Sequence, residues 1–187
     1  MWCIVLIKRL RYGVKKADEN IVYGLKTVFE LLGVEYKDFV KCRPYIYTLG
    51  SLGILSYSKY GAKYFNASII YSGEWLGIII NNKIYLSTVI YERVYRYLGE
   101  YRAAITVSQH GVKTFLYGND LFASSIIKYY EPMYNPVAVI DSFDNRVIGV
   151  AEPMVSENEL INALKKGLER PVYKNVYDLG FFIRYFE

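Results

Sequence analysis

"FLYGNDLFASS", residues 115–125, sets three large apolar residues directly against Gly118, then a polar pair, then Leu121-Phe122 and small side chains. Bulky aromatic and aliphatic residues before a glycine read as a strand ending in an abrupt turn. Asn119 and Asp120 then read as the opening of a helical turn. Two uses are open to such a stretch: a corner within a core, or a backbone shaped to meet a ligand. Gly118 lets a ligand come close without a Cβ in the way. A helical turn opening at Asn119 would aim free amides outward, as a phosphate requires. Asp120 would repel phosphate unless it is turned away as a cap.

Downstream, "NPVAVIDSFDNRVIGVAEP" (135–153) reads as a hairpin with Asp144-Asn145 at its tip, residues that tolerate left-handed turns. "SENELINALKKG" (156–167) carries a capping box, Ser156 with Glu159, and Gly167 past its end. "PVYKNVYDLGFFIRYF" (171–186) is expected to finish as two strands turning near Asp178 and Gly180. With "AAITV" (103–107) before the opening stretch, the second half predicts a small mixed β-barrel.

Upstream, "ENIVYGLKTVFELLG" places apolar residues at 21, 22, 25, 28, 29 and 32, one helical face, between a capping Asp18 and Gly33. Short β-rich pieces follow: "EYKDFV", "YIYTLG" and "GILSYS". After a helical turn or two around "KYGAKYF" comes "ASIIYSG", then "WLGIIINNKIYL" with Asn81-Asn82 as a hairpin corner. "STVIYERVYRYLG" reads as a helix capped by Ser87 and stopped by Gly99. The organisation expected is an α+β domain over 1–100, packed directly on a barrel domain over 101–187.

The 187 residues suffice for a real core. Mean hydropathy is +0.10, yet the apolar runs are too short or interrupted for the roughly 20 residues of a spanning helix. A chain with no membrane segment and no secretory signal is expected, cytoplasmic in location. Lys and Arg number 14 against 8 Asp and Glu over residues 1–100, and 9 against 10 afterwards. Lys8, Arg9, Arg11, Lys15 and Lys16 precede the first acid. Such asymmetry suits an acidic partner or a solvated basic arm.

Cys3 and Cys42 make no metal-ligand spacing and read as buried free thiols. His110 is the sole histidine, and Ser108 lies in no nucleophile motif. Neither a dinucleotide fingerprint nor a P-loop is present. No enzyme activity and no cofactor are expected. Tyrosine, at 21 residues, mostly serves as a strand former, with a few rings free to stack on unpaired bases.

Taken in order, "FLYGNDLFASSI", "VAVIDSFDNRVIGVAE" and "SENELINALKKGLERPVYKNVYDLG" resemble successive parts of a PUA domain. That module is named for pseudouridine synthases and archaeosine transglycosylases. "IYTLGSLGILSYSKYGAKYF", "ASIIYSGEWLGIIINNKIYLSTVI" and "YRYLGEYRAAITV" are similar to the pre-PUA domain of the Nip-seven family of large-ribosomal-subunit biogenesis proteins. The resemblance is looser before residue 45 and absent from the first 16. It implies an α+β pre-PUA domain followed by a PUA-like mixed β-barrel, binding RNA without catalysis in pre-rRNA processing and large-subunit assembly.

The implied partners are single-stranded pre-rRNA at the barrel and assembly or exosome proteins at the first domain, the protein being a monomer. Its location is cytoplasmic, or nucleolar in a eukaryote. Two alternatives stand beside it: an RNA-modification enzyme or an accessory subunit of one, though such an enzyme needs a larger catalytic domain upstream, and a protein-interaction adaptor for RNA-processing machinery such as the exosome. The sequence departs from the family at Ala123 and Ser125, where a basic residue and a glycine are common. The RNA-binding residues expected are Gly118 and Asn119 at the turn, with Lys113 and Lys128 flanking it. Lys165, Lys166, Arg170 and Lys174 cluster between the capped helix and the closing strand, and Arg184 lies near the end. Stacking falls to one or two of Tyr117, Tyr129, Tyr130 and Tyr173.

Overall fold

The computed structural model describes residues 12–58, 73–181 and 184. Cys3, the basic residues 8–11, "KYGAKYF" and most of "ASIIYSG" lie outside them. Two compact units divide between Ile90 and Tyr91.

The first unit is an antiparallel five-stranded meander in sequential order: β1 (Tyr12–Lys16), β2 (Tyr45–Leu49), β3 (Leu52–Tyr57), β4 (Glu74–Ile80) and β5 (Lys83–Leu86). Asn81 and Asn82 both adopt positive φ, 50° and 62°, forming the two-residue turn that matches strand twist. Helix α1 (Glu19–Leu31) starts where the Asp18 carboxylate accepts from the Ile21 amide, and it buries Leu25 and Phe29. Its approach to β5 is close: a Cβ on Gly24 would stand 2.9 Å from the Ile84 Cδ1. "EYKDFV" departs from expectation. Tyr36–Phe39 form a helical turn, α2, so that Phe39 can pack tilted against Phe29 at 5.4 Å. Cys42 is a free, half-buried thiol whose Sγ donates to the Ser58 carbonyl.

Helix α3 (Thr88–Leu98) begins under Ser87, whose hydroxyl accepts from the Ile90 amide. The second unit carries β6 (Ala104–Val107), α4 (Gln109–Leu116), β7 (Leu121–Phe122), a 3-10 turn (Ala123–Ser125) and β8 (Ile126–Tyr130). It continues with β9 (Val137–Asp141), β10 (Val147–Pro153), α5 (Glu157–Lys166) and β11 (Pro171–Asp178). The strand order is β7-β11-β10-β9-β6-β8, with β6 parallel to β9 and the other pairs antiparallel. The two edge strands, β7 and β8, are joined by the three-residue 3-10 turn, so the sheet must curl towards closure. The small mixed β-barrel expected from the sequence is present as a curled half-barrel, filled by Ile105, Phe115, Val139, Leu160 and Tyr173 among others. No helix among the described residues is long and apolar enough to cross a membrane.

Two elements of this unit differ from expectation. Phe115 and Leu116 are not a strand but the last turn of α4, which Ser108 caps by accepting from the Gly111 amide. No second strand is present among the described residues after Asp178: Phe181 and Arg184 are helical, and the Arg184 amide bonds back to the Gly180 carbonyl.

Tyrosine serves mainly as core. Tyr47, Tyr173 and Tyr177 are fully buried. Tyr101 stacks on Tyr95 at 4.3 Å, donates to the Asn145 carbonyl, and is pushed up to about 12 by burial, with Glu92, Tyr95, Tyr130 and Asp144 adding repulsion. A raised phenol pKa stabilises the fold fully below the unfolded value near 10.0, and that stability disappears as pH climbs through the folded value. The urea midpoint should thus fall from pH about 9 to pH about 11, and Tyr101→Phe should blunt the fall. An equal fall in Tyr101→Phe would remove this residue from the account.

Candidate nucleic-acid interface

The opening stretch is a helix C-terminus. The last carbonyls of α4 point into the corner at Gly118, and side chains from distant segments satisfy them. Asn119 donates from both its amide and Nδ2 to the Thr114 carbonyl, each at 3.3 Å. Asn175, on β11, donates from Nδ2 to the Phe115 carbonyl at 2.8 Å. Arg184 donates from Nη1 to the Leu116 carbonyl at 3.0 Å. Gly118 adopts φ +87°, and a Cβ there would touch the Arg184 guanidinium at 3.3 Å.

This overturns the phosphate cradle expected at Asn119-Asp120. A helix C-terminus carries the negative end of the peptide dipoles, so it repels an anion where an N-terminus attracts one. Asp120 is turned away, though not as a helix cap: its Oδ1 accepts from the Asn175 amide on β11 at 2.9 Å.

Asp178 is the hub of the closing turn. It is buried, and its Oδ1 accepts from the Gly180 amide at 2.7 Å. Its Oδ2 accepts from Asn175 Nδ2 and pairs with Arg184 Nη2. "DLG" therefore locks the end of β11 to the end of α4. Sequence reasoning does not single out Asn175. Its only signal there is the Asn-x-x-Asp spacing before a glycine turn.

The cations expected from the sequence part into two classes. Arg184 is half-exposed but committed to Asp178 and Leu116, so it acts as a clasp rather than an open phosphate contact. Arg170 is drawn against α5, with Nη2 at 3.4 Å from the Glu159 carbonyl and a buried Nε lacking a partner among the described residues. Arg170 also helps Ser156, whose hydroxyl and amide bonds chiefly hold the exposed Glu159 carboxyl below its usual range. The other class is open. Lys113 in the last turn of α4, Lys165 and Lys166 in the last turn of α5, and Lys174 on β11 are exposed and make no ion pair among the described residues. Lys128, on edge strand β8, sits over the Tyr130 ring at 4.5 Å. Of these five lysines only Lys128, on β8, and Lys174, on β11, are borne by strands, and those two strands are not hydrogen-bonded neighbours.

Of the rings considered for stacking, Tyr173 is excluded: it is fully buried and donates to the Met133 carbonyl at 2.8 Å. Tyr117 is the most open, at 80% exposure. Among the described residues no three His, Cys, Asp or Glu side chains converge as a metal site requires.

No curated protein matches this sequence. Solved structures that share its fold include three archaeal proteins. A conserved PUA domain protein from Thermoplasma acidophilum aligns with TM-score 0.60 at 13% identity, over 94% of this chain and 100% of its own. A hypothetical protein from the hyperthermophilic archaeon Pyrococcus horikoshii OT3 aligns with TM-score 0.64 at 12% identity, over 89% and 94%. A PUA domain from Aeropyrum pernix K1, solved as a tartrate complex, aligns with TM-score 0.59 at 11% identity, over 91% and 88%. At the sequence level residues 103–187 match the family model of the UPF0113 PUA domain, and with the curled barrel described above this supports a PUA domain in the second half of the chain.

Proposed function

We propose that this chain is a non-enzymatic RNA-binding protein whose second unit contacts the RNA backbone through its open lysines. The observation that carries the reading is the PUA barrel over residues 103–187 with Lys113 and Lys174 flanking its Gly118 corner. Lys113 lies in the helical turn just before that corner, and Lys174 precedes Asn175, which caps it. Lys165 and Lys166 also complement the negative end of α5, a role they keep whether or not RNA is bound. Absence of bond-making chemistry is in keeping with Ser108 serving as a helix cap and with exposed His110 standing apart from any acid–nucleophile pair.

The finer role we propose is in pre-rRNA processing and large-subunit assembly, with cytoplasmic or nucleolar location following the source. It is supported by the resemblance of residues 45–107 to the Nip-seven pre-PUA domain. In that reading the first unit docks an assembly factor or an exosome subunit. A crosslinking map on ribosomal RNA tests the role: crosslinks concentrated in large-subunit precursors support it, and crosslinks to unrelated transcripts alone refute it.

Phosphate contacts release counterions, so each lysine that binds adds to the salt slope. Replacing Lys113, Lys165, Lys166 and Lys174 by alanine should weaken binding of unrelated single-stranded RNAs alike. The slope should fall by about 0.7 for each phosphate no longer neutralised. A variant whose slope equals that of the parent would show these lysines to be a solvated surface only.

A further inference from the structure

We propose that a cleft in the first unit binds a free α-amino acid with an apolar side chain, Lys15 meeting its carboxylate and Asp18 its ammonium; the proposal stands apart from the RNA-binding reading above. The cleft measures about 370 Å3 and lies between the start of α1 and one face of the meander. Small-ligand pockets begin at about 300 Å3, so a molecule of this class fits whole.

Strand register builds the floor. Lys15 pairs with Ile46 across β1 and β2, and Thr48, Gly53 and Ile79 pair in turn across β2, β3 and β4. Cross-strand partners share a face, and Ile46 and Thr48, two apart on β2, share it too. All five line the cleft. Gly53 is the telling member. Its φ lies outside the left-handed region and the ladder is regular on either side of it, so neither a turn nor a bulge asks for glycine. Glycine inside a strand weakens it, and it marks places where a ligand or another backbone comes close. A Cβ at 53 would stand 3.2 Å from the Ile79 Cβ and 3.4 Å from the Ile46 Cγ2. These are side chains of the walls rather than another backbone, so glycine here keeps the floor between them open.

The charges select the ligand. Asp18 spends Oδ1 on the Ile21 amide at 3.0 Å, and its Oδ2 makes no hydrogen bond among the described residues. Lys15 is exposed, and its ammonium makes no ion pair among them, with Asp18 or any other acid. One open cation and one open carboxylate thus line the same cleft without pairing. A phosphate would meet the repulsion of Asp18, and a simple amine that of Lys15. A molecule carrying both charges on one carbon satisfies both through charge-assisted hydrogen bonds. Ile21, Ile46, Leu52 and Ile79 supply apolar surface for its side chain, and the Asn81-Asn82 turn lines the rim.

The test titrates the full chain, labelled with 15N, with L-leucine up to about 10 mM, above the millimolar dissociation constant expected of so small a ligand. The Ile21, Thr48, Gly53 and Ile79 amides should shift and saturate. Glycine lacks the side chain, leucinamide the carboxylate and N-acetyl-leucine the ammonium. Each should bind at least about tenfold more weakly than leucine. Lys15→Met should abolish the preference for leucine over leucinamide. Asp18→Asn, which keeps a capping side chain, should abolish the preference for leucine over N-acetyl-leucine. Amides unmoved by leucine would overturn the proposal. So would equal binding of leucine, leucinamide and N-acetyl-leucine, the mark of an apolar groove blind to charge. The analogues need no variant, so a poorly folding variant leaves the decision intact. None of these outcomes touches RNA binding by the second unit, which its own salt slope measures.

Discussion

Arg184→Ala should destabilise the second unit by about 2–3 kcal/mol, and adding Asp178→Asn should return part of that loss. The reasoning turns on which partner can recover its water. The Asp178 side chain is fully buried, whereas that of Arg184 is 39% exposed. Removing the arginine leaves a carboxylate sealed in the fold with, among the described residues, the Gly180 amide and Asn175 Nδ2 as its remaining donors. Breaking a fully buried pair costs about 3–5 kcal/mol, and the open side of Arg184 brings this one lower. Asp178→Asn alone should cost only about 1 kcal/mol, because an isosteric amide keeps an acceptor for Gly180 and the arginine head can hydrate. The double variant then carries no stranded charge. Urea unfolding followed by amide exchange of β6 and β9 measures the cycle. Tryptophan fluorescence does not, since Trp2 and Trp75 both precede the second unit. Strict additivity of the two effects would deny that Arg184 and Asp178 act as a pair.

Gly149→Ala is the other large effect. Gly149 lies in β10 opposite Asp178, within the "GVA" of the hairpin's second strand. A Cβ there would stand 2.3 Å from the Tyr177 carbonyl oxygen, 2.8 Å from the Asp178 Cα and 2.7 Å from Phe115 Cε1. Two of these are backbone atoms of the neighbouring strand, which cannot rotate aside as a side-chain tip can. The strands must part where β11 meets α4, and the clasp at Asp178 moves with them. Overpacking of a core costs about 1–3 kcal/mol, and a clash against backbone belongs at or above the top of that range. The expected result is loss of a cooperative transition for the second unit, or a midpoint shift of that size. A variant melting like its parent would mean that β10 and β11 are less closely apposed than described.

Local signals are legible in the sequence because their physics is local. Asn81-Asn82, the Ser156–Glu159 box, Gly167 and the Leu25–Phe29 face each need only their near neighbours, and each forms as the residues imply. The PUA-like half-barrel is legible for a different reason: several weak turn and hairpin cues come in one order. "FLYG" misleads because a short apolar run has no period that separates a strand from the last turn of a buried helix. "EYKDFV" misleads likewise, its helical turn being decided by Phe39 meeting Phe29.

The site is less legible because its partners are far apart in the chain. Arg184 reads as a free cation until the structure sets it against Asp178 and the Leu116 carbonyl. Arg170 reads so until its head is found against α5. Asn175 carries no mark of its role beyond its spacing from Asp178, since the carbonyl it caps lies 60 residues earlier. Lys113, Lys165, Lys166 and Lys174, which make no ion pair among the described residues, keep their sequence reading as exposed cations.

The claim on which the functional account stands is that the intact protein holds RNA by its phosphates. Titrating the full chain with a single-stranded RNA from about 50 mM to about 200 mM salt measures it directly, since four phosphates at about −0.7 each predict an affinity drop of about fiftyfold. A linear fall of log affinity against log salt with that steepness is the expected result. An affinity unmoved by salt, or no binding at the lower concentration, would contradict it.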